Sequence, residues 1–210
     1  MLKKILSVAV TGVSALGFVA ANAALPGPYI TGQLGYADTH LRGKIALPAA
    51  DIPGHQINIH LTNNGFMGRV AAGYLFDPNF GVELGYSQLR SVKSREPNTA
   101  YSSYYLGQNA VDLATKGIWP VASNFDVYAK IGVAYLSTNV EAKDQSATCN
   151  LNDKVGIARH KWAPEAAVGV DYNVTQNVFI DTAVNHIQVL GKNRPGNIDT
   201  LTFGLGYRFG

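Results

Sequence analysis

From residue 29 onward apolar and polar side chains alternate with a period of two. In the stretch FGVELGYSQL, Phe80, Val82, Leu84 and Tyr86 share one face, and Gly81, Glu83 and Gly85 share the other. Near the C-terminus Leu201, Phe203, Leu205, Tyr207 and Phe209 oppose Thr200, Thr202, Gly204, Gly206 and Arg208. Such alternation is the signature of a strand with two different faces. It predicts eight strands, over 29–37, 66–76, 80–89, 110–120, 125–136, 163–174, 178–189 and 199–209. Each is about 9–12 residues long, the length a tilted strand needs to cross a hydrocarbon layer. Average globular strands have only about 5–6 residues.

The connections fit the same picture. Asp77-Pro78-Asn79, Val121-Ala122-Ser123-Asn124 and Thr175-Gln176-Asn177 are short and built from turn-forming residues. They alternate with long connections at 38–65, 90–109, 137–162 and 190–198. Short turns at one end, long loops at the other and an even strand count place both termini at the short-turn end. The apolar face carries aromatics near strand ends (Tyr36, Tyr74, Tyr86, Trp119, Tyr135, Tyr172 and Tyr207), as interfacial girdles do. The opposite face holds glycine and charge, which suits a narrow lumen. The predicted fold class is all-β, an eight-stranded antiparallel up-and-down transmembrane β-barrel.

Composition changes the picture at the N-terminus. Met1-Leu2-Lys3-Lys4, an apolar run to Ala20 and the small-x-small Ala21-Asn22-Ala23 have the plan of a secretory signal peptide. The expected organisation is a cleaved segment 1–23 and a barrel over 24–210. Without Lys3 and Lys4 the remainder has 15 basic and 14 acidic residues, which argues against a nucleic-acid partner. Cys149 is the one cysteine, so no intramolecular disulfide forms; it is either a free thiol or an intermolecular partner. No stretch after the signal has the length and apolarity of a transmembrane helix.

GYLFDPNFGVELGY and DLATKGIWPVASNFDVYAKIGVAY resemble strand–turn–strand units of the OmpA-like outer-membrane barrels, small surface-antigen and opacity-type relatives included. The resemblance covers nearly the whole chain after the signal. The chain stops at the eighth strand, so the peptidoglycan-binding domain of many relatives is not carried over. The last strand is similar to the signal read by the barrel-assembly machinery, with Thr202, Gly204, Tyr207 and Phe209 in the matching places. The resemblance implies a cell outer-membrane location, periplasmic termini and extracellular long loops. It also implies a third-strand glutamate, here Glu83, pointing inward and paired with basic residues, as strand parity indicates independently.

Matching positions offer Lys116 and Lys130 as cations and Asp171 as a further acid, and Arg69 has inward parity. Asp181 stands where relatives often carry an arginine that competes for the glutamate, which weakens any carried-over gating. An eight-stranded interior is only wide enough for side chains to fill it, so a closed polar plug is expected ahead of a pore. The expected role is a surface structural barrel, or an adhesin acting through its loops, where Tyr101, Tyr104 and Tyr105 are recognition candidates. A narrow gated ion-conducting pore is the second class.

The third class is a lipid A-modifying enzyme, because His186-Ile187-Gln188 resembles the end of the lipid A deacylases. Gln188 replaces their serine nucleophile, so His186 has nothing to activate and no catalysis is expected. His40, His55 and His60 match no compact ligand motif, and neither metal nor cofactor is expected. Expected partners are outer-membrane lipid and lipopolysaccharide, the assembly machinery, and a host or surface ligand at the loops. The barrel is expected to be a monomer.

Overall fold

The structure, a computed structural model, describes residues 26–40, 45–48, 56–59, 64–90, 103–143, 148–150, 158–191 and 196–209. In chain order its strands are β1 (Gly27–His40), β2 (Ile45–Pro48), β3 (Gln56–Ile59), β4 (Asn64–Asp77), β5 (Phe80–Arg90) and β6 (Ser103–Ala122). They continue as β7 (Phe125–Lys143), β8 (Thr148–Asn150), β9 (His160–Asn173), β10 (Val178–Ile187) and β11 (Asn197–Arg208). The eight long strands pair antiparallel in the order β1, β4, β5, β6, β7, β9, β10, β11, and β11 pairs back with β1 to close the barrel. Closure leaves the wall without an unpaired edge. β2 and β3 form a separate hairpin between β1 and β4, and it holds part of the apolar 45–50 stretch of the first long connection. The expected segment 1–23 lies outside the described residues.

The short turns explain themselves chemically. Asn79 N–H donates to Asp77 Oδ1 at 2.7 Å, and Asn177 and Val178 N–H donate to Thr175 Oγ1 at 3.2 and 2.9 Å. These side chains supply the acceptors that a tight reversal takes from the backbone ladder.

β6 and β7 outrun the expected 110–120 and 125–136. Their ladder continues from Gly107↔Asn139 to Ser103↔Lys143, after β5 has stopped at Arg90↔Gly107 and β9 at Ser137↔His160. β8 adds a third strand there, opposite Glu141–Lys143. Among the described residues the result is a blade standing about 14–20 Å beyond the neighbouring strands, at ~3.4 Å per residue. Tyr104 and Tyr105 therefore lie in a strand, opposite Ala142 and Glu141, not in a loop; Tyr101 falls outside the described residues. Period-two patterning fades in this stretch because it no longer separates lipid from lumen. Cys149 likewise sits in β8, opposite Ala142.

The outer face is apolar in a band. Leu201, Phe203, Leu205, Tyr207 and Phe209 all point outward on β11 and are largely exposed. Leu201 to Phe209 is about 27 Å along the strand, or about 21 Å across a membrane at a ~40° tilt, close to the ~25 Å band of outer-membrane barrels. Tyr74, Phe76, Phe80, Trp119, Phe125 and Tyr172 ring the short-turn end, and Tyr36, Phe66, Tyr86, Tyr135 and Trp162 ring the other. Beyond that second ring the outward positions turn polar, with Asp38, Gln88, Asn109, Ser137 and His186.

The interior has three layers. Tyr29, Leu75, Ile118, Tyr128 and Phe179 fill the short-turn end. Met67, Leu89, Leu136, Ile187, Val189 and Ile198 fill the loop end. Charged side chains occupy the space between and reach the short-turn end as well, where Asp126 and Arg208 are buried beside the first cluster. Inward glycines make room for this filling: a Cβ at Gly169 would collide with the Tyr128 ring, and one at Gly85 with Arg69 and Asp112.

Candidate functional site

All five charged residues singled out from the sequence face the lumen and are buried: Arg69 on β4, Glu83 on β5, Lys116 on β6, Lys130 on β7 and Asp171 on β9. Glu83 is the hub. Its Oε1 accepts from Lys130 Nζ at 2.9 Å and lies 2.9 Å from Arg69 Nη2, while its Oε2 accepts from the Tyr29 hydroxyl at 2.8 Å. Arg69 also donates to Asp112 Oδ1 at 2.6 Å and to Gln33 Oε1 at 3.2 Å. Gln33 Nε2 passes the connection on to Asp181 Oδ1, and Tyr128 donates to Asp181 Oδ2 at 2.7 Å.

Lys116 goes elsewhere. Its ammonium donates to Asp171 Oδ2 at 2.9 Å and sits 3.9 Å from the centre of the Tyr128 ring. Arg208 approaches the same Asp171 oxygen at 3.6 Å, donates to Asn173 Oδ1 at 2.6 Å, and packs 4.2 Å from the Phe179 centroid. Asn173 in turn donates to Asp126 Oδ2 at 2.7 Å.

Sequence reasoning did not single out Tyr29, Gln33, Asp112, Asp126, Tyr128, Glu165 or Arg208 as partners in this network. Inward parity marks every one of them, and that signal was in the sequence. Asp181, read as a departure from relatives, accepts two hydrogen bonds from neutral donors.

The wall explains the geometry. Lys116 stands directly opposite Lys130 in the β6–β7 ladder, and Asp171 stands directly opposite both Asp126 and Asp181. Like charges directly opposite destabilise a sheet, so each must find its counter-charge beyond its neighbour. Bonds accordingly skip one strand: Tyr29 to Glu83, Arg69 to Asp112, Lys130 to Glu83, Lys116 to Asp171, Tyr128 to Asp181, Arg208 to Asp171 and Gln33 to Asp181. Among the described residues these chords join seven of the eight next-but-one strand pairs around the barrel.

The buried carboxyls are Glu83, Asp112, Asp126, Glu165, Asp171 and Asp181; the buried cations are Arg69, Lys116, Lys130 and Arg208. Acids therefore outnumber bases in the described lumen. Glu165 Oε2, Asp171 Oδ1 and Asp126 Oδ1 have no protein hydrogen-bond partner.

Outside the barrel, His186 Nδ1 contacts Asp199 Oδ1, and His40 lies 3.6 Å from Asp199 and 3.9 Å from Asp38. Gln188, two residues after His186, is exposed and supplies no hydroxyl. No group of three or more His, Cys, Asp or Glu among the described residues is arranged to hold a metal. His55 and His60 fall outside them. On the last strand Thr202 and Gly204 face inward, and Tyr207 and Phe209 pair edge to face on the outside at 4.9 Å.

A closed eight-stranded wall with an aromatic-bordered apolar belt and a charged, filled interior defines an integral outer-membrane barrel. The chain belongs to the outer membrane protein beta-barrel domain family, whose sequence model matches residues 5–209. It is 27% identical over the full length of both chains to an uncharacterised protein of Coxiella burnetii. It is 30% identical to outer membrane protein A of Serratia marcescens, over 66% of this chain and 38% of that one. Against this larger relative it matches well under half the length. Among solved structures it superposes on Neisserial surface protein A with a TM-score of 0.60 at 13% identity, covering 87% of this chain and 97% of that one.

Proposed function

We propose that this protein is a non-conducting surface barrel that holds a recognition blade above the outer membrane, with both termini periplasmic and the long connections extracellular. One observation carries the reading: among the described residues the β6–β7 ladder, joined by β8, continues beyond the strands on either side of it. A ladder extended past the membrane band does nothing for spanning. What it does is hold backbone in a fixed shape at the loop end, where binding on rigid scaffolds usually resides. The filled lumen supports the same reading, because buried rings, aliphatic side chains and paired charges occupy its interior.

The test is adhesion. The protein is displayed in a non-adherent Gram-negative laboratory strain, intact or with 91–106 and 140–157 each replaced by a short flexible linker. Attachment to cultured epithelial cells and to extracellular-matrix coatings is then counted. Binding that the intact protein confers and the trimmed barrel loses is the expected result. Equal attachment, with both proteins folded and inserted, overturns the adhesive role. The charged lumen favours one competing reading, a narrow pore. Discrete single-channel openings of the refolded protein in planar bilayers, changed by Glu83→Ala, would establish the pore in place of the closed scaffold.

A further inference from the structure

Six buried carboxyls against four buried cations leave two negative charges over in the described lumen, inside a wall that faces lipid. A buried carboxylate without a counter-charge is costly enough that such a group takes up a proton instead. Four of the six acids stand in two pairs. Asp171 on β9 is directly opposite Asp181 on β10, both inward and fully buried, and their carboxyls lie within hydrogen-bond reach. Side chains opposite each other in an antiparallel ladder have Cβ atoms about 4.5–5.5 Å apart, which allows that contact. The second pair spans the lumen: Glu165 on β9 reaches past β7 to Asp112 on β6, again within hydrogen-bond reach.

Each pair contains an oxygen with no donor, Asp171 Oδ1 in one and Glu165 Oε2 in the other. The donors nearby are used elsewhere. Lys116 and Arg208 turn to Asp171 Oδ2, Gln33 and Tyr128 to the two oxygens of Asp181, and Arg69 to Asp112 Oδ1. Lys130 is bonded to Glu83, and Lys161, half-buried and next inward along β9, carries its ammonium toward Gly191. Two carboxylates in contact have no hydrogen to offer each other. One proton between them supplies it.

We propose that the folded lumen binds two protons at neutral pH, one shared by Asp171 and Asp181 and one by Asp112 and Glu165. Each pair then carries a single negative charge. With Glu83 and Asp126 ionised, four negative charges meet Arg69, Lys116, Lys130 and Arg208, and the buried excess is gone. A metal ion fits these seats poorly, because it would have to share Asp171 with an ammonium at 2.9 Å and a guanidinium at 3.6 Å. Asp126 also stands opposite Asp171 and has an orphaned oxygen, but it accepts from Asn173 and lies 3.9 Å from Arg208. In the unfolded chain all these acids are solvated and have lost their protons by neutral pH. Folding therefore takes two protons from solvent, and stability falls as pH rises.

The test compares wild type, Asp181→Asn, Glu165→Gln and the double variant, refolded in phosphatidylcholine vesicles and checked by heat-modifiable gel migration. Each amide keeps the shape of the acid and supplies N–H donors in place of the shared proton. Infrared spectra at neutral pH in H2O and D2O should show an isotope-sensitive carbonyl band of protonated carboxylic acid in wild type. The band should be about halved in each single variant and absent in the double, as one of two protons and then both are removed. Urea unfolding between about pH 6 and 8, where ordinary carboxyls are ionised, gives the second readout. Relative to wild type, the rise of the unfolding constant with pH should lessen by about ten-fold per pH unit in each single variant and about a hundred-fold in the double. Should a variant fail to fold, absence of the band from wild type alone overturns the proposal. So does an equal pH slope in wild type and the double variant. A band and slope kept in Asp181→Asn but lost in Asp126→Asn overturn the assignment to Asp181. A wild-type urea midpoint that rises with added calcium or sodium, with no carboxylic acid band, gives the seats to a metal ion and overturns the protons.

Discussion

Replacing Glu83 by Gln removes one negative charge from the hub of the lumen and leaves its shape unchanged. In the wild type both Lys130 and Arg69 lie 2.9 Å from Glu83 Oε1. Arg69 keeps Asp112 at 2.6 Å and Gln33 at 3.2 Å, so it is not stranded. Lys130 keeps the Tyr128 ring at 5.3 Å and the electrostatic attraction of the buried Glu165 carboxyl. Removing one partner of a buried pair typically costs about 3–5 kcal/mol, mostly because the other charge stays buried without compensation. The Arg69 fallback puts Glu83→Gln toward the lower end, near ~3 kcal/mol, which is roughly a hundred-fold in the folding equilibrium.

The assay is a reversible urea titration of the refolded barrel in lipid vesicles, followed by tryptophan emission and confirmed by heat-modifiable gel migration. Lys130→Met in the same background closes a double-mutant cycle. Because Met leaves no stranded ammonium, the double variant should be more stable than the sum of the two single losses by at least about 1 kcal/mol. An unchanged urea midpoint for Glu83→Gln, or strict additivity in the cycle, refutes the pairing as a source of stability.

Three further outcomes follow from the same geometry. Asp181→Asn should shift stability by no more than about 1 kcal/mol in the same titration, since Asp181 is bonded by neutral Gln33 and Tyr128 and faces Asp171 across the ladder. A loss as large as that of Glu83→Gln would mean that its charge is needed. Gly169→Val should cost about 1–3 kcal/mol by driving a methyl-bearing carbon into the Tyr128 ring, and Gly169→Val with Tyr128→Ala should recover part of that loss. Ile131→Arg on the outward face should cost about 2–4 kcal/mol in a bilayer, whereas Ser137→Arg beyond the belt should cost about 0–1. Equal costs at the two positions would move the membrane boundary.

Parity alone made the wall legible. The alternation on 80–89 and 199–209 sent Glu83 inward and Leu205 outward, and counting by two did the same for Arg69, Lys116, Lys130 and Asp171. It could not say where the ladders stop, because β6 and β7 continue into a region where neither face meets lipid. It also left the partner of Glu83 open between Lys116 and Lys130, since partner choice depends on distance across the lumen and no residue period encodes that.

Yet half of the answer was in the hairpins. Lys116 and Lys130 are equidistant from the turn at 123, and Asp171 and Asp181 from the turn at 176. Hairpin register counted from those turns therefore puts like charge against like, as the structure does. A β6–β7 hairpin on its own opposes two ammonium groups, and a β9–β10 hairpin on its own opposes two carboxylates. Each is electrostatically poor in isolation and becomes favourable only beside the other, when Lys116 reaches past β7 to Asp171. The same reasoning holds at β5, where Glu83 takes Lys130 from beyond β6. The charges thus penalise separate hairpins and reward the assembled wall, so the lumen network acts as a closure device that makes barrel formation cooperative. A lumen filled by paired side chains is the consequence of that arrangement.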